Sequence, residues 1–362
     1  MKLYLAPMEG ITRWGYRRIY HKHFGHIDRY FTPFISPGGS KRFTHREMQE
    51  ILPEHNQGME VIPQLLTCRS EDFIWAAKEL KGMGYGEVNL NLGCPSGTVT
   101  AKKKGAGFLA YPQELDEFLA QIFERLEMRI SIKTRLGKEE PEEFYRILEI
   151  YNRYPVSELI IHPRVQKEFY QGQPHWEIFG EGLKRAAIPV CYNGDINSLG
   201  DFGKLLEEFP QAARVMIGRG LLRDPFLAWK IKEEEEGQEG AGYGQAGQNW
   251  SQIGQVGQGC GQKSREGQDC GQLNRTGQRY SHLSQAEKAK RVKAFHDEFY
   301  RHCQEEMSGE KNVLFRMKEL WPYLLASFRD SEKAGKAIRK SRNGEEYRRA
   351  VEALFRENEF MG

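Results

Sequence analysis

The first two-thirds of the chain alternates short apolar runs with stretches whose apolar residues return at helical spacing. Eight runs have strand length: 3–7, 29–34, 60–65, 87–91, 130–135, 158–162, 189–193 and 214–218. Between them, residues 76–81, 114–126, 142–151 and 199–208 carry the clearest helical periodicity. A strand-helix alternation predicts an α/β fold, and eight repeats predict a (β/α)8 TIM barrel. The rival is an open doubly wound sheet. It is expected to carry G-x-G-x-x-G after its first strand, and no such run follows residue 7.

The pattern changes near residue 233. Residues 233–283 are of low complexity and repeat the pair Gly-Gln, as at Gly244-Gln245, Gly254-Gln255 and Gly261-Gln262. Such a composition buries too little apolar surface to offset its ordering entropy, so a disordered insertion or linker is predicted. Helical spacing resumes at Ser284-Gln285-Ala286-Glu287, which reads as a capped start. Val292, Phe295 and Phe299 follow, then Leu320, Leu324 and Phe328. Three segments result: a barrel over 1–232, a tether over 233–283 and an all-α helical bundle over 284–362.

Composition narrows the class. Of 362 residues, 39% are hydrophobic and 28% charged, as in a soluble globular protein. No apolar run approaches the roughly 20 residues of a membrane span. The start, Met1-Lys2-Leu3-Tyr4-Leu5-Ala6-Pro7, lacks the long apolar region of a signal peptide. A cytoplasmic protein without membrane contact is expected. The six cysteines include no C-x-x-C pair and no zinc-like spacing with histidine, so neither a disulfide framework nor a metal is expected. The net charge is +3, and residues 285–362 hold 17 basic against 14 acidic side chains. The tail thus carries the whole excess, a mild pointer to a polyanionic partner.

In a barrel of this kind the chemistry sits at the C-terminal ends of the strands. Those ends read Pro7-Met8, Gln64, Asn91-Leu92-Gly93-Cys94, Lys133-Thr134-Arg135, His162-Pro163-Arg164, Asn193-Gly194-Asp195 and Gly218-Arg219. The last two strands end in glycine-containing turns, where backbone N–H groups and Arg219 would hold a phosphate. Gln64, Lys133 and His162 offer amide and cationic donors to the carbonyl-rich edge of a flavin. Taken singly, Lys133 reads as a buried ion pair and His162 as a satisfied core histidine; three such residues at neighbouring tops favour a site. Cys94 leaves its strand into a turn and is followed by Lys102-Lys103-Lys104 and Gly105-Ala106-Gly107. An ordinary thiol is mostly protonated at neutral pH, which suits a proton donor better than a nucleophile. Cys68 and Cys191 read as inert buried thiols.

With these residues the resemblance becomes specific. Ala6-Pro7-Met8-Glu9-Gly10-Ile11-Thr12, Asn91-Leu92-Gly93-Cys94-Pro95, Gly105-Ala106-Gly107, His162-x-Arg164, Asn193-Gly194-Asp195 and Gly218-Arg219-Gly220 occur in that order. Together they resemble the bacterial tRNA-dihydrouridine synthase family over roughly residues 3–230. The helical tail resembles the family's tRNA-binding bundle in position and length, and more weakly in sequence. The resemblance implies FMN at the barrel mouth, with Pro7, Met8, Gln64, Lys133 and His162 around its ring. Asn193, Gly194, Asp195, Gly218 and Arg219 would hold its ribityl chain and phosphate. NADPH or NADH would be the reductant. Hydride would go to C6 of a flipped-out uracil in tRNA and Cys94 would protonate C5, with Asn91 positioning the base. Arg135, Arg164, Lys103 and Lys104 would meet the substrate. A monomer is implied.

Two positions depart from the family: Val165 stands where threonine is usual, and Glu168 where glutamine is usual. An altered polar contact to the substrate is expected there. An alternative of the same chemistry is an FMN barrel oxidoreductase acting on a free pyrimidine, similar to dihydroorotate dehydrogenases. A second is a non-catalytic RNA-binding protein that kept the barrel. The basic tail argues against the first, and the presence of Cys94, Lys133 and His162 against the second.

Overall fold

The computed structural model describes residues 1–240 and 279–362. The Gly-Gln repeats from Gly244 onward, with Cys260 and Cys270, lie outside the described residues. All eight predicted strands form. They are β1 (Lys2–Leu5), β2 (Arg29–Phe31), β3 (Val61–Ile62) continued by β4 (Gln64–Leu65), β5 (Glu87–Leu92), β6 (Arg129–Arg135), β7 (Leu159–His162), β8 (Val190–Asn193) and β9 (Arg214–Ile217). Every pairing is parallel, in the order β3-β2-β1-β9-β8-β7-β6-β5-β4. β3 and β4 are halves of one strand, split at Pro63 because proline has no ladder N–H. The Pro63 carbonyl still accepts from the Asn89 amide (2.8 Å). With β3 on β2 and β4 on β5, the sheet closes into an eight-stranded barrel. β2 stops short of its expected end because Pro33 follows.

Strand side chains alternate between the barrel interior and the surrounding helices. Tyr4, Ala6, Phe31, Ile62, Ile160, Cys191 and Met216 form a separate apolar cluster, the plug of the barrel. The same parity, carried to the C-terminal ends, turns Gln64, Asn91, Lys133, Arg135, His162 and Asn193 inward above that plug. Register fixes them as neighbours: Gln64 faces Asn89, Asn91 faces Lys133, and Arg135 faces His162. The other end is closed by charge, with Glu158 between Arg29 and Arg214 and bonded to the Tyr4 hydroxyl (3.0 Å).

The helices of the first segment are α1 (Trp14–His23), α2 (His45–Ile51), α3 (Ser70–Gly82), α4 (Gly97–Thr100), α5 (Pro112–Arg125), α6 (Glu143–Tyr151), α7 (Trp176–Arg185), α8 (Leu199–Glu208), α9 (Arg219–Arg223) and α10 (Leu227–Gly240). The tail adds α11 (Gln285–Glu306), α12 (Glu310–Leu324), α13 (Glu332–Lys340) and α14 (Gly344–Glu357). α11 begins as expected, with a capping box between Ser284 and Glu287. The expected boundary at residue 233 moves. α10 runs on through the glutamate run to Gly240, because glutamate is a good helix former. Glu235 pairs with the Met1 amino group (3.2 Å), and Glu233 receives Ser281 from the far side of the tether.

Barrel and bundle share one core. Phe295 and Phe299 of α11 stand edge-on to Tyr16 of α1, at 5.6 and 5.7 Å between ring centres. Phe24 packs against both Phe226 and Phe295. A single contiguous cluster of buried apolar residues runs from the barrel wall into α11, α12 and α14.

Candidate active site

The mouth is built on an amide chain. Gln64 donates through Nε2 to Asn89 Oδ1 (2.8 Å) and accepts at Oε1 from Asn91 Nδ2 (2.7 Å). Asn89 in turn donates to Ser131 Oγ (3.0 Å). Asn91 Oδ1 accepts from the amides of Gly93 (3.0 Å) and Cys94 (2.9 Å). Asn91 therefore holds the Cys94 turn in shape. Asn89 was not among the expected site residues. Its signal was the Asn-x-Asn spacing of β5, which puts both amides on the inward face.

Lys133 rises from β6 beside Asn91. Among the described residues its ammonium has no hydrogen bond and no ion pair. The side chain is half-buried. Burial, and then the charge of Arg135, push its pKa down to about 8. Cys94 is half-buried too. Burial raises its pKa above the usual thiol range, against the pull of the Ser96 backbone bond, Arg135 and Lys133. The thiol thus stays protonated at neutral pH. Gly105 lets the following loop close over it. With φ at +56°, a Cβ there would stand 2.7 Å from the Cys94 carbonyl oxygen.

His162 is buried, and its pKa lies well below the usual value. Burial is the main cause, with four nearby cations adding to it. Arg164 Nη1 lies 3.1 Å from His162 Nε2. A guanidinium only donates, so Nε2 accepts and the neutral ring carries its proton on Nδ1. Arg164 is fully buried and also donates to the carbonyls of Gln171 (3.0 Å) and Gly172 (2.6 Å) and to Asp195. Asp195 bridges Arg164 and Arg219. Arg135 donates to three backbone carbonyls, of Gly93 (2.9 Å), Val165 (2.9 Å) and Phe169 (2.6 Å). Both expected substrate arginines thus tie the loops after β5 to β8 together.

The turns after β8 and β9 hold a set of free donors. Among the described residues, the backbone amides of Gly194, Asp195, Gly218, Arg219 and Gly220 donate to no protein acceptor. Asn193 is buried and braces the turn by donating to the Met216 carbonyl (2.8 Å). Met8 lies against Gly218, its sulfur 3.5 Å from where a Cβ would be, so the Pro7-Met8 loop borders the same turns. Lys103 is exposed and Lys104 half-buried. Lys103 pairs with Glu114 (3.0 Å) and Lys104 donates to Ser36 (2.9 Å).

Tyr170 was not among the residues expected at the site. It is 55% exposed. The guanidinium groups of Arg219 and Arg135 lie 4.9 and 5.4 Å from its ring centre, and the His162 ring 6.1 Å away. At the two departures from the resembled family, the side chains make contacts within the protein. Val165 is buried, and its amide donates to Glu168 (2.7 Å), whose other oxygen meets His175 (2.7 Å). Cys191 is fully buried in the plug, as expected for an inert thiol. Cys68 is half-buried, with its thiol 3.6 Å from the Lys102 carbonyl.

The family model for dihydrouridine synthase (Dus) matches residues 4–314, across both the barrel and the start of the helical bundle. The chain belongs to the dihydrouridine synthase family. Among its relatives, tRNA-dihydrouridine synthase B of Pasteurella multocida (strain Pm70) is 27% identical over 229 residues, which cover 62% of this chain and 67% of the relative. A probable tRNA-dihydrouridine synthase 1 of Synechocystis sp. (strain ATCC 27184 / PCC 6803 / Kazusa) is 29% identical over 63% of each chain. The chain thus spans a little under two-thirds of that relative. Among solved structures, an old yellow enzyme homologue from Zymomonas mobilis aligns with a TM-score of 0.47 at 11% identity, over 64% of this chain and 88% of its own. In this family member, no described helix is long and apolar enough to cross a membrane. No group of three or more His, Cys, Asp or Glu among the described residues could hold a metal.

Proposed function

We propose that the chain reduces the C5=C6 bond of uridine in tRNA to 5,6-dihydrouridine, with FMN as its cofactor and NADPH or NADH as reductant. The observation that carries this reading is the meeting, at one mouth, of an ammonium without a counter-ion and a thiol that burial keeps protonated. The residues fit FMN. The free amides after β8 and β9, with Arg219 beside them, suit its phosphate. Lys133 lacks an anion, and the pyrimidine edge of a flavin gains negative charge on reduction. Gln64 keeps one amide hydrogen unassigned, and His162 offers Nδ1–H. When bound, reduced FMN supplies the hydride that C6 accepts.

The protein's own part is acid catalysis and placement. Cys94 gives the proton: its S–H bond breaks as the C5–H bond forms, and the electron pair stays on sulfur. Arg135 and Lys133 both favour the thiolate so formed. Asn91 sets the direction of the thiol by fixing the amides of Gly93 and Cys94. A uracil reaches this depth only by leaving its stack. Lys103 and Lys104, just after the Cys94 turn in the chain, and the helical bundle would meet phosphates. Arg135 and Arg164 hold the walls of the site.

The test is dihydrouridine formation on unmodified tRNA with purified protein, FMN and NADPH. Wild type forms it. Cys94→Ala loses about 10²- to 10⁴-fold of the rate, as expected for a missing general acid, yet stays yellow. A wild type that binds FMN and leaves every tRNA uridine unreduced overturns the reading, and the free-pyrimidine oxidoreductase replaces it.

A further inference from the structure

Among the exposed large apolar side chains, Phe315 is the most open, at 67%. It sits on α12, directly opposite the buried stripe of Val313, Leu314, Met317, Leu320 and Leu324. Residues on a helix advance by about 100° each. Arg316 therefore lies on one flank of Phe315 and Lys318, about 60° the other way, on the opposite flank. Each flank reaches something different. Arg316 Nη1 comes within 3.4 Å of the Cβ position at Gly10, on the loop that follows β1 at the barrel mouth. Lys318 donates to the carbonyl of Ser341, just past the end of α13. Phe315 thus crowns a ridge between the mouth and α13.

The far side of that ridge is cationic. α13 exposes Lys333, Lys336, Arg339 and Lys340 against a single acid, Glu332, and exposed Arg342 follows. Among the described residues, none of these five cations has an ion pair or a side-chain hydrogen bond, and neither has Lys311, one turn before Phe315. Elsewhere in the bundle, Lys293, Arg329, Arg349 and Arg356 are each paired with a carboxylate. Lys290 and Arg301 of α11 are exposed and unpaired as well, but the densest run of unpaired cations, five within residues 333–342, lies on α13 and just past its end.

We propose that Phe315 is a stacking platform for an unpaired base of the RNA substrate, one close in the strand to the nucleotide that enters the barrel, with its phosphates carried on toward α13. Every base offers a π-face, so an exposed ring takes a base without reading its identity, while nearby cations hold the backbone. An aromatic crest beside unpaired cations fits this polyanion with flat apolar bases better than it fits another protein surface. The inference rests on the tRNA reading above.

The test uses the full-length, FMN-loaded protein with Phe315→Ala, Phe315→Leu and Phe315→Trp. Dissociation constants for tRNA are measured at one fixed salt concentration, alongside KM for tRNA, NADPH-driven flavin reduction and sedimentation. Ala and Leu are expected to weaken tRNA binding by about 5- to 100-fold, the usual worth of one stacked base, and to raise KM. Trp is expected to restore both. Flavin reduction by NADPH stays as in wild type for all three. If Leu binds as tightly as wild type, or Ala leaves affinity and KM unchanged in an enzyme that makes dihydrouridine, the platform is overturned while the function stands. If wild type is a dimer that Phe315→Ala dissociates without loss of tRNA affinity, the ridge serves self-association. If wild type neither binds tRNA nor reduces its uridines, the function itself fails and the platform with it.

Discussion

Lys133 sets the balance between stability and chemistry at the scale of one residue. Its pKa falls from 10.5 to about 8, so the folded protein resists holding the charge that the site needs. A fall of that size corresponds to roughly 3 kcal/mol, and access to the mouth reduces it to about 1–2 kcal/mol. The unfolded chain binds the proton more tightly, so this group makes the fold more stable as pH rises from about 8 to 10.5. Below that window the burial cost is fully present. In flavin-free protein at pH 7, Lys133→Met is expected to gain about 1–2 kcal/mol in urea denaturation and to lose the alkaline rise, while flavin affinity and turnover drop. Equal stability with an unchanged pH profile would mean that the ammonium is solvated and is not the reserved charge proposed here. The inward placement of Lys133, Gln64 and His162 at the mouth was legible because strand parity and strand ends suffice to find it. The loop contacts of Asn91, Arg135 and Arg164 were not. Each binds backbone groups of a loop, and no sequence pattern records where a loop's carbonyls fall.

At the scale of elements, the contact of α1 with α11 depends on a missing side chain. A Cβ on Gly15 would overlap the ring of His302. That ring cannot swing clear, because it stands edge-on to Trp14 (4.6 Å) and against Phe299 (6.4 Å). Alanine for glycine inside a helix ordinarily gains about 0.5–1 kcal/mol, whereas overpacking costs about 1–3 kcal/mol. Overpacking wins, so Gly15→Ala should lose about 1–2 kcal/mol in denaturant melts. Adding His302→Ala should recover part of that loss, and a simple helix gain from Gly15→Ala would contradict this packing. The strands were legible as elements because a period of two is short and each run is apolar. The end of α10 was not. Its glutamates resemble the polar segment that follows, and what holds them, the Met1 amino group and Ser281, is distant in sequence.

At the scale of the molecule, composition divided the chain into a barrel and a bundle, but packing joins them. Tyr16 and Tyr20 of α1 and Phe24 just past its end are almost fully buried, and the rings that cover them include Phe295 and Phe299. The Ser327 hydroxyl also donates to the Arg223 carbonyl at the end of α9. Apolar area of this kind contributes about 25 cal/mol per Å² when kept from water. A barrel stripped of residues 284–362 would present these aromatic faces to solvent and is expected to aggregate. Truncation therefore cannot test RNA binding; point changes on the exposed ridge can. The shared core also predicts one cooperative transition. Tryptophan fluorescence draws on Trp14 and Trp229 beside the barrel and on Trp321 in the bundle, and far-UV circular dichroism reports all helices. The two urea curves should coincide, and amides in β6 and α11 should exchange with the same opening free energy. Two separated transitions, with the bundle lost first, would show that barrel and bundle fold as independent units and that the aromatic contact of α1 with α11 adds little to either.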